Sequence, residues 1–332
     1  MASMSMPGKP SERGAALLTV LLLVAVIAVL AATALERLRI ATKIGGNAIA
    51  LDQARAAAIA TEALATIKVS DLLRKSPDRV SLVGDWSGTP FALPVPGGIA
   101  TARIVDGGNC FNLNGLVLKA GDGVYTANPA AMERFAKLIR VIGAPARSPE
   151  AIAAATADWI DTDTEVQPNG AEDSDYAGLA VPYRTPNMLM TDVSELRAVK
   201  GVTPELYAKL RPWICALPMA LQSKVNVNTL RPEQAPLLAI LTPGAPNVAA
   251  MQRALLGRPA LGYDTVEKFW ASSALGGIGD TGSASTDSSV TSKWFALRVD
   301  VRLKDGELEQ NGLIDASALP ARLVSRQWGE AT

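Results

Sequence analysis

The sequence predicts an α+β fold: a long amino-terminal helix packs on an antiparallel sheet, and a large all-helical insert interrupts that sheet. Three observations predict it. An uncharged run from Ala15 to Leu35 leads into a proline-free stretch of helix formers that reaches Lys75. Residues near 91–106 and again near 293–328 alternate apolar and polar side chains with a period of two, as half-buried strands do. Between those two regions, several segments instead repeat their apolar residues at a spacing near 3.6.

The first element is a membrane segment. Ala15 to Leu35 carries no charge and only Thr19 and Thr33 as hydroxyl residues, so at 1.5 Å per residue it crosses a hydrocarbon core of about 30 Å. Basic residues lie on both sides of it, Lys9 and Arg13 before and Arg37 and Arg39 after, so charge alone orients it weakly. Three readings of the start are open. A secretory signal would use the small-residue pattern Ala32-Thr33-Ala34, but its apolar core is usually about 7–15 residues, shorter than this one. An uncut anchor explains the length and gives Gly14 no role. A prepilin leader, cut between Gly14 and Ala15 on the cytoplasmic side, keeps the apolar run as the first half of a long helix and uses the glycine.

From Glu36 the helix continues as a stalk. Leu51, Ala54, Ala58 and Ile59 fall near one another on its surface, and Leu64, Ile67 and Val69 do so less regularly, while Asp52, Arg55, Glu62 and Lys68 can stay in water. Gly45-Gly46 costs about 2 kcal/mol relative to alanine and predicts a kink. A hairpin across Gly97-Gly98 follows. Near the far end, Phe295, Leu297, Val299, Val301 and Leu303 share one face of a strand, and Asp305-Gly306 turns the chain into two more. The insert between them is placed at 115–219, with the remaining sheet domain at 220–332 and its first part at 36–114. Ser283 to Ser292 reads as a mobile loop, and Asn109, Asn112 and Asn114 as holding a bend between strand and insert.

Composition narrows function. Lys plus Arg and Asp plus Glu balance at 32 each, so no global field holds nucleic acid or an anionic surface. The absence of histidine removes Ser-His-Asp and Cys-His nucleophile systems and the usual zinc ligands, so no catalytic function is expected. Cys110 and Cys215 are the only cysteines. They fit one structural disulfide in an oxidising compartment, with two unrelated buried thiols as the alternative.

Two motifs carry chemistry. The stretch DWIDTDTEVQPNGAEDSDY crowds Asp161, Asp163, Glu165, Glu172, Asp173 and Asp175 into one loop, where a hard cation would relieve their repulsion. Calcium is the natural candidate, with Asp161, Asp163, Glu172 and Asp173 as ligands; a solvated acidic loop is the alternative. It is not an EF-hand, because Val166 stands where that loop needs glycine. The stretch SELRAVKGVTPELYAKLRPWI resembles a helix-hairpin-helix unit turned at Lys200-Gly201-Val202. As a DNA contact it would use Arg197, Lys200, Lys209 and Arg211, and a membrane-anchored DNA receptor is therefore the rival reading. The neutral total charge and the acidic loop just upstream favour a structural, sterile-alpha-motif-like role, with no nucleic acid partner.

Several blocks, in order, resemble the protein K family of minor pseudopilins of type II secretion systems: RGAALLTVLLLVAVIAVLAA, DQARAAAIATEAL, CFNLNGLV, DWIDTDTEVQPNGAEDSDY, PYRTPNMLMTDVSELRAVKGVTPELYAKLRPWICALP and KVNVNT. The resemblance implies a pilin-like fold, removal of the 1–14 leader by the prepilin peptidase after Gly14, and methylation of Ala15. It implies one pass through the bacterial inner membrane at 15–35 with the head in the periplasm, and calcium in the insert. It further implies assembly with minor pseudopilins I and J at the tip of a filament of the major pseudopilin, in support of protein export. One departure from ordinary pilins is Thr19, the fifth mature residue, where they carry glutamate to compensate a neighbour's amine; protein K shares it. A subunit with nothing ahead of it has no amine to neutralise, and an unpaired carboxylate there would be costly. Ala15 is the second, since many pilins begin with phenylalanine.

Overall fold

The computed structural model describes residues 12–146, 148–276, 282–304 and 306–329. The leader up to residue 11 lies outside them, as do residues 277–281 and Asp305 of the predicted turn. Gly14 and Ala15 fall in the first turns of the opening helix.

Helix α1 runs from Glu12 to Lys75, unbroken through Gly45-Gly46, so the predicted kink does not interrupt its hydrogen bonding. Strands β1 (Phe91–Val95) and β2 (Gly98–Asp106) form the expected hairpin, with Gly97 at φ +80°. The chain then leaves the sheet through β3 (Phe111–Asn112) and a small hairpin, β4 (Val117–Gly121) with β5 (Val124–Ala127). Helices α2 (Pro129–Val141), α3 (Pro149–Ile160), α4 (Asp173–Ala177) and α5 (Pro204–Leu210) follow. Three of these four start with proline behind an Asn, Ser or Thr cap whose side chain accepts a backbone N–H of the first turn. Short strands β6 (Ile214–Cys215) and β7 (Val225–Asn226) precede α6 (Ala235–Ala239), α7 (Val248–Leu256), α8 (Val266–Trp270) and α9 (Gly282–Thr286). The chain returns to the sheet through β8 (Ser288–Ser289), β9 (Trp294–Leu303), β10 (Gly306–Asp315) and β11 (Arg322–Trp328). The main sheet has the order β1-β2-β9-β10-β11, all antiparallel, so β2 pairs with a strand nearly 200 residues away.

Two apolar cores result. In one, Ala54, Ala57, Ala58, Ala65 and Val69 of α1 pack on Ala100, Ala102, Leu297, Val299 and Val301 of the sheet. Alanine against alanine lets the helix approach closely, and this decides its face. Leu51, Ile59 and Ile67, predicted to point inward, are 38%, 45% and 56% exposed, whereas Glu62, predicted to stay wet, is buried. The second core lies in the insert and runs from Phe111 to Ala284. The insert boundary drawn at Met219 is therefore not a boundary in packing: Leu238, Met251 and Phe269 share the core of Phe135 and Ile160. Helices of five to nine residues show too little periodicity to be read from sequence. The predicted loop at 283–292 is also built in, since β8 pairs in parallel with β7 and Ala284 and Ser288 are buried.

Candidate metal centre

The acidic loop begins at the end of α3. Ser148 caps this helix at its start, and Asp161 is its last cap, where the helix dipole is negative and a second negative charge is unfavourable. One turn back, buried Asp158 draws the loop home, accepting from the amides of Gln167 at 3.2 Å and Ala171 at 2.7 Å. The approach is so close that a Cβ on Gly170 would lie 1.9 Å from the Asp158 carboxylate. That fold-back brings Glu172 to Asp161. Ligand oxygens of Asp161, Asp163 and Glu172 all lie within 4.8 Å of one another.

Several buried oxygens here lack partners. Both carboxylate oxygens of fully buried Asp161, Oε1 of Glu172 and Oδ1 of Asn187 accept no hydrogen bond among the described residues. Burial, and then the charges of Asp163, Asp158 and Glu172, push the Asp161 carboxyl up to about 8. Burial also pushes Glu172 up, and Asp158 up to about 6. Buried, unpaired carboxylates are costly, and an all-oxygen set of hard donors suits calcium.

Asp173, the fourth predicted ligand, stands apart. Its Oδ1 accepts from the amide and the hydroxyl of Thr185, both at 2.9 Å, and these bonds hold its carboxyl below the usual range. The same Thr185 hydroxyl lies 3.3 Å from Glu172, so the two carboxylates share its proton and Asp173 is tied to the acidic cluster through Thr185. Two contributors escaped sequence reasoning. Asp158 was legible as the acid one helical turn before Asp161. Asn187, at φ +48° and with its amide nitrogen 3.4 Å from the Asp163 carbonyl, is distant in sequence and left no signal.

The Cys110–Cys215 disulfide forms, with Cα atoms 5.8 Å apart, beside the parallel β3–β6 pair. The three asparagines do more than hold a bend. Asn112 accepts from the amide of Leu217 and donates to Met219 and Leu221, Asn114 clasps Met190 and Leu217, and Asn109 joins Asn226 to Thr229. Each ties the entrance of the insert to residues 76 to 120 positions away. At the helix-hairpin-helix turn, the Lys200 amide donates to the Tyr176 hydroxyl at 3.2 Å and the ammonium to Asp175 at 2.6 Å, so both are engaged within the head.

The sequence pattern of the family described as type II secretion system (T2SS), protein K, matches residues 109–219 and again 225–291. The type II secretion system protein K of Pectobacterium carotovorum subsp. carotovorum is 34% identical over 96% of this chain and 97% of its own. The chain belongs to the protein K family. The Aeromonas hydrophila member is 36% identical over 78% of this chain and 79% of its own. The fold agrees as well: the match to the crystal structure of the GspK-GspI-GspJ complex from the enterotoxigenic Escherichia coli type 2 secretion system has a TM-score of 0.73 at 33% identity, covering 84% of this chain and 96% of that one. Protein K is a structural component of its secretion system and a minor pseudopilin, and α1 supplies the single apolar helix long enough to anchor it among the described residues.

Proposed function

We infer that the chain caps the tip of a periplasmic pseudopilus, bound to minor pseudopilins I and J above a filament of the major pseudopilin, and that it supports export of folded proteins across the outer membrane. The observation that carries this reading is its likeness to GspK, which crystallised with GspI and GspJ. Two features of the chain support it. Helix α1 leaves Ile40, Ile44, Leu51, Ile59 and Ile67 uncovered, apolar surface suited to neighbouring helices. The insert, grown from one end of the sheet, would clash with a subunit stacked above and so suits the end of a filament.

The same reading assigns Gly14 and Ala15 to cleavage by prepilin peptidase and Ala15 to methylation, with the head in the periplasm, where the disulfide persists. Calcium would be held by Asp161, Asp163 and Glu172, with Asn187 beside them, and would neutralise their repulsion and pin the acidic loop; its role is structural.

Co-expression with I and J in the native host tests the assembly, and intact mass tests the processing. A 1:1:1 complex whose K chain begins at methylated Ala15 is expected. A chain beginning at Leu35, or one retaining Met1 or Ala2, would overturn the filament reading and return the membrane-anchored DNA receptor to contention.

A further inference from the structure

A pocket of about 310 Å³ opens at the seam between the segment after α1 and the distal half of the insert. Leu82, Pro232 and Pro259 give it apolar surface, with buried Leu255 behind them, and Leu256 stands at its rim, 67% exposed. Arg258 also lines it. Here α7 ends, Gly257 closes the helix, and the Arg258 amide donates back to Leu255 at 3.3 Å.

The guanidinium is held by one end. Nη1 donates to the carbonyls of Val227 at 2.9 Å and Leu230 at 2.8 Å, which fixes its plane. Among the described residues, its Nε and Nη2 donors meet no protein acceptor, and no carboxylate lines the pocket. Burial pushes its pKa down, as expected for a cation partly withdrawn from water, and Tyr263 opposes the shift. Arg326 shows the usual solution: its Nε and Nη2 take both oxygens of Glu62. Arg258 has the same fork, oriented in advance, with that place open.

We propose that this pocket docks the C-terminal carboxylate of a peptide whose last side chain is apolar. A planar carboxylate matches the two free donors of the fork, and an apolar side chain on the same Cα lies against Leu82, Pro232 and Pro259. A phosphate matches the fork but gains nothing from those walls and finds a single cation.

The test uses the full chain in detergent with methyl-labelled leucines, followed by NMR. N-acetyl-leucine should shift Leu82, Leu255 and Leu256 saturably, whereas N-acetyl-leucinamide, which lacks the charge, should not. Arg258→Gln should weaken the response at least tenfold with the remaining methyl spectrum unchanged. Should that variant misfold, Leu256→Glu, an exposed change that offers the fork an internal carboxylate, should abolish the response of Leu82 and Leu255. Equal response to the amide, no response to the acid, equal binding of inorganic phosphate, or an undiminished response in either folded variant would overturn the assignment.

Discussion

Arg326→Met should destabilise the head more than Glu62→Met does, although both break the same ion pair. Glu62 projects from α1 into the sheet with its side chain 10% exposed, while that of Arg326, on β11, is 35% exposed. The guanidinium meets the two carboxylate oxygens at 2.8 and 2.7 Å, and the amide of fully buried Gln310 donates to one of them at 2.7 Å. Removing Arg326 strands a buried carboxylate with one donor, a loss placed in general at about 3–5 kcal/mol. Water can enter where a third-exposed guanidinium stood, so the low end, about 3 kcal/mol, is expected. Removing Glu62 instead frees a guanidinium that can turn to solvent and leaves Gln310 without an acceptor, for a loss of about 2 kcal/mol. With both changed, only the Gln310 defect remains, about 2 kcal/mol, so the pair should fall short of additivity by about 3 kcal/mol. Thermal unfolding of the full chain in detergent, read by tryptophan fluorescence, resolves this, since about 2–4 °C is expected per kcal/mol. Equal single effects, or a double variant that loses the sum, would refute the view that desolvation at Glu62 governs this joint.

Three further outcomes are expected. Replacing both Cys110 and Cys215 by serine should lower the melting temperature, because the bridge closes a separation of 105 residues and nominally contributes about 4–5 kcal/mol; an unchanged value would remove it from the account. With chelator present, Asp161→Asn should gain stability over the parent as pH rises. The folded-state pKa of Asp161, about 8, lies above an unfolded value near 3.9, so the parent's stability is whole at low pH and is lost as pH climbs through 8. Calcium should erase that slope in the parent, and terbium luminescence sensitised by Trp159 should vanish in Asp161→Asn but persist, weakened, in Asp173→Asn; equal loss in both would make Asp173 a ligand. Gly170→Ala should cost about 2 kcal/mol or more and weaken cation binding, because its Cβ would collide with the carboxylate that folds the loop; normal terbium binding by this variant would show that Asp158 does not position the site.

The sequence by itself determined the elements whose signal is local. Uncharged length marked the start of α1 as an apolar span long enough to cross a membrane, alternation marked β2 and β9, and apolar spacing near 3.6 marked the helical region between them. The acidic run holding Asp161, Asp163 and Glu172 was also legible, but it is the fold-back onto Asp158 that brings Glu172 to Asp161. Tertiary structure decided what depends on distant partners. Which face of α1 is buried followed from Ala100 and Ala102 across the interface, since only small residues allow so close an approach, and this left Ile59 outside and Glu62 within. The extent of the insert followed from a shared core that short helices could not announce. Thr185 engages Asp173, and a left-handed turn sets Asn187 beside Asp163, two placements that depend on residues distant in sequence. Periodicity and composition record how each residue meets its neighbours in the chain; they carry no record of which oxygen, 26 residues on, will be left without a donor.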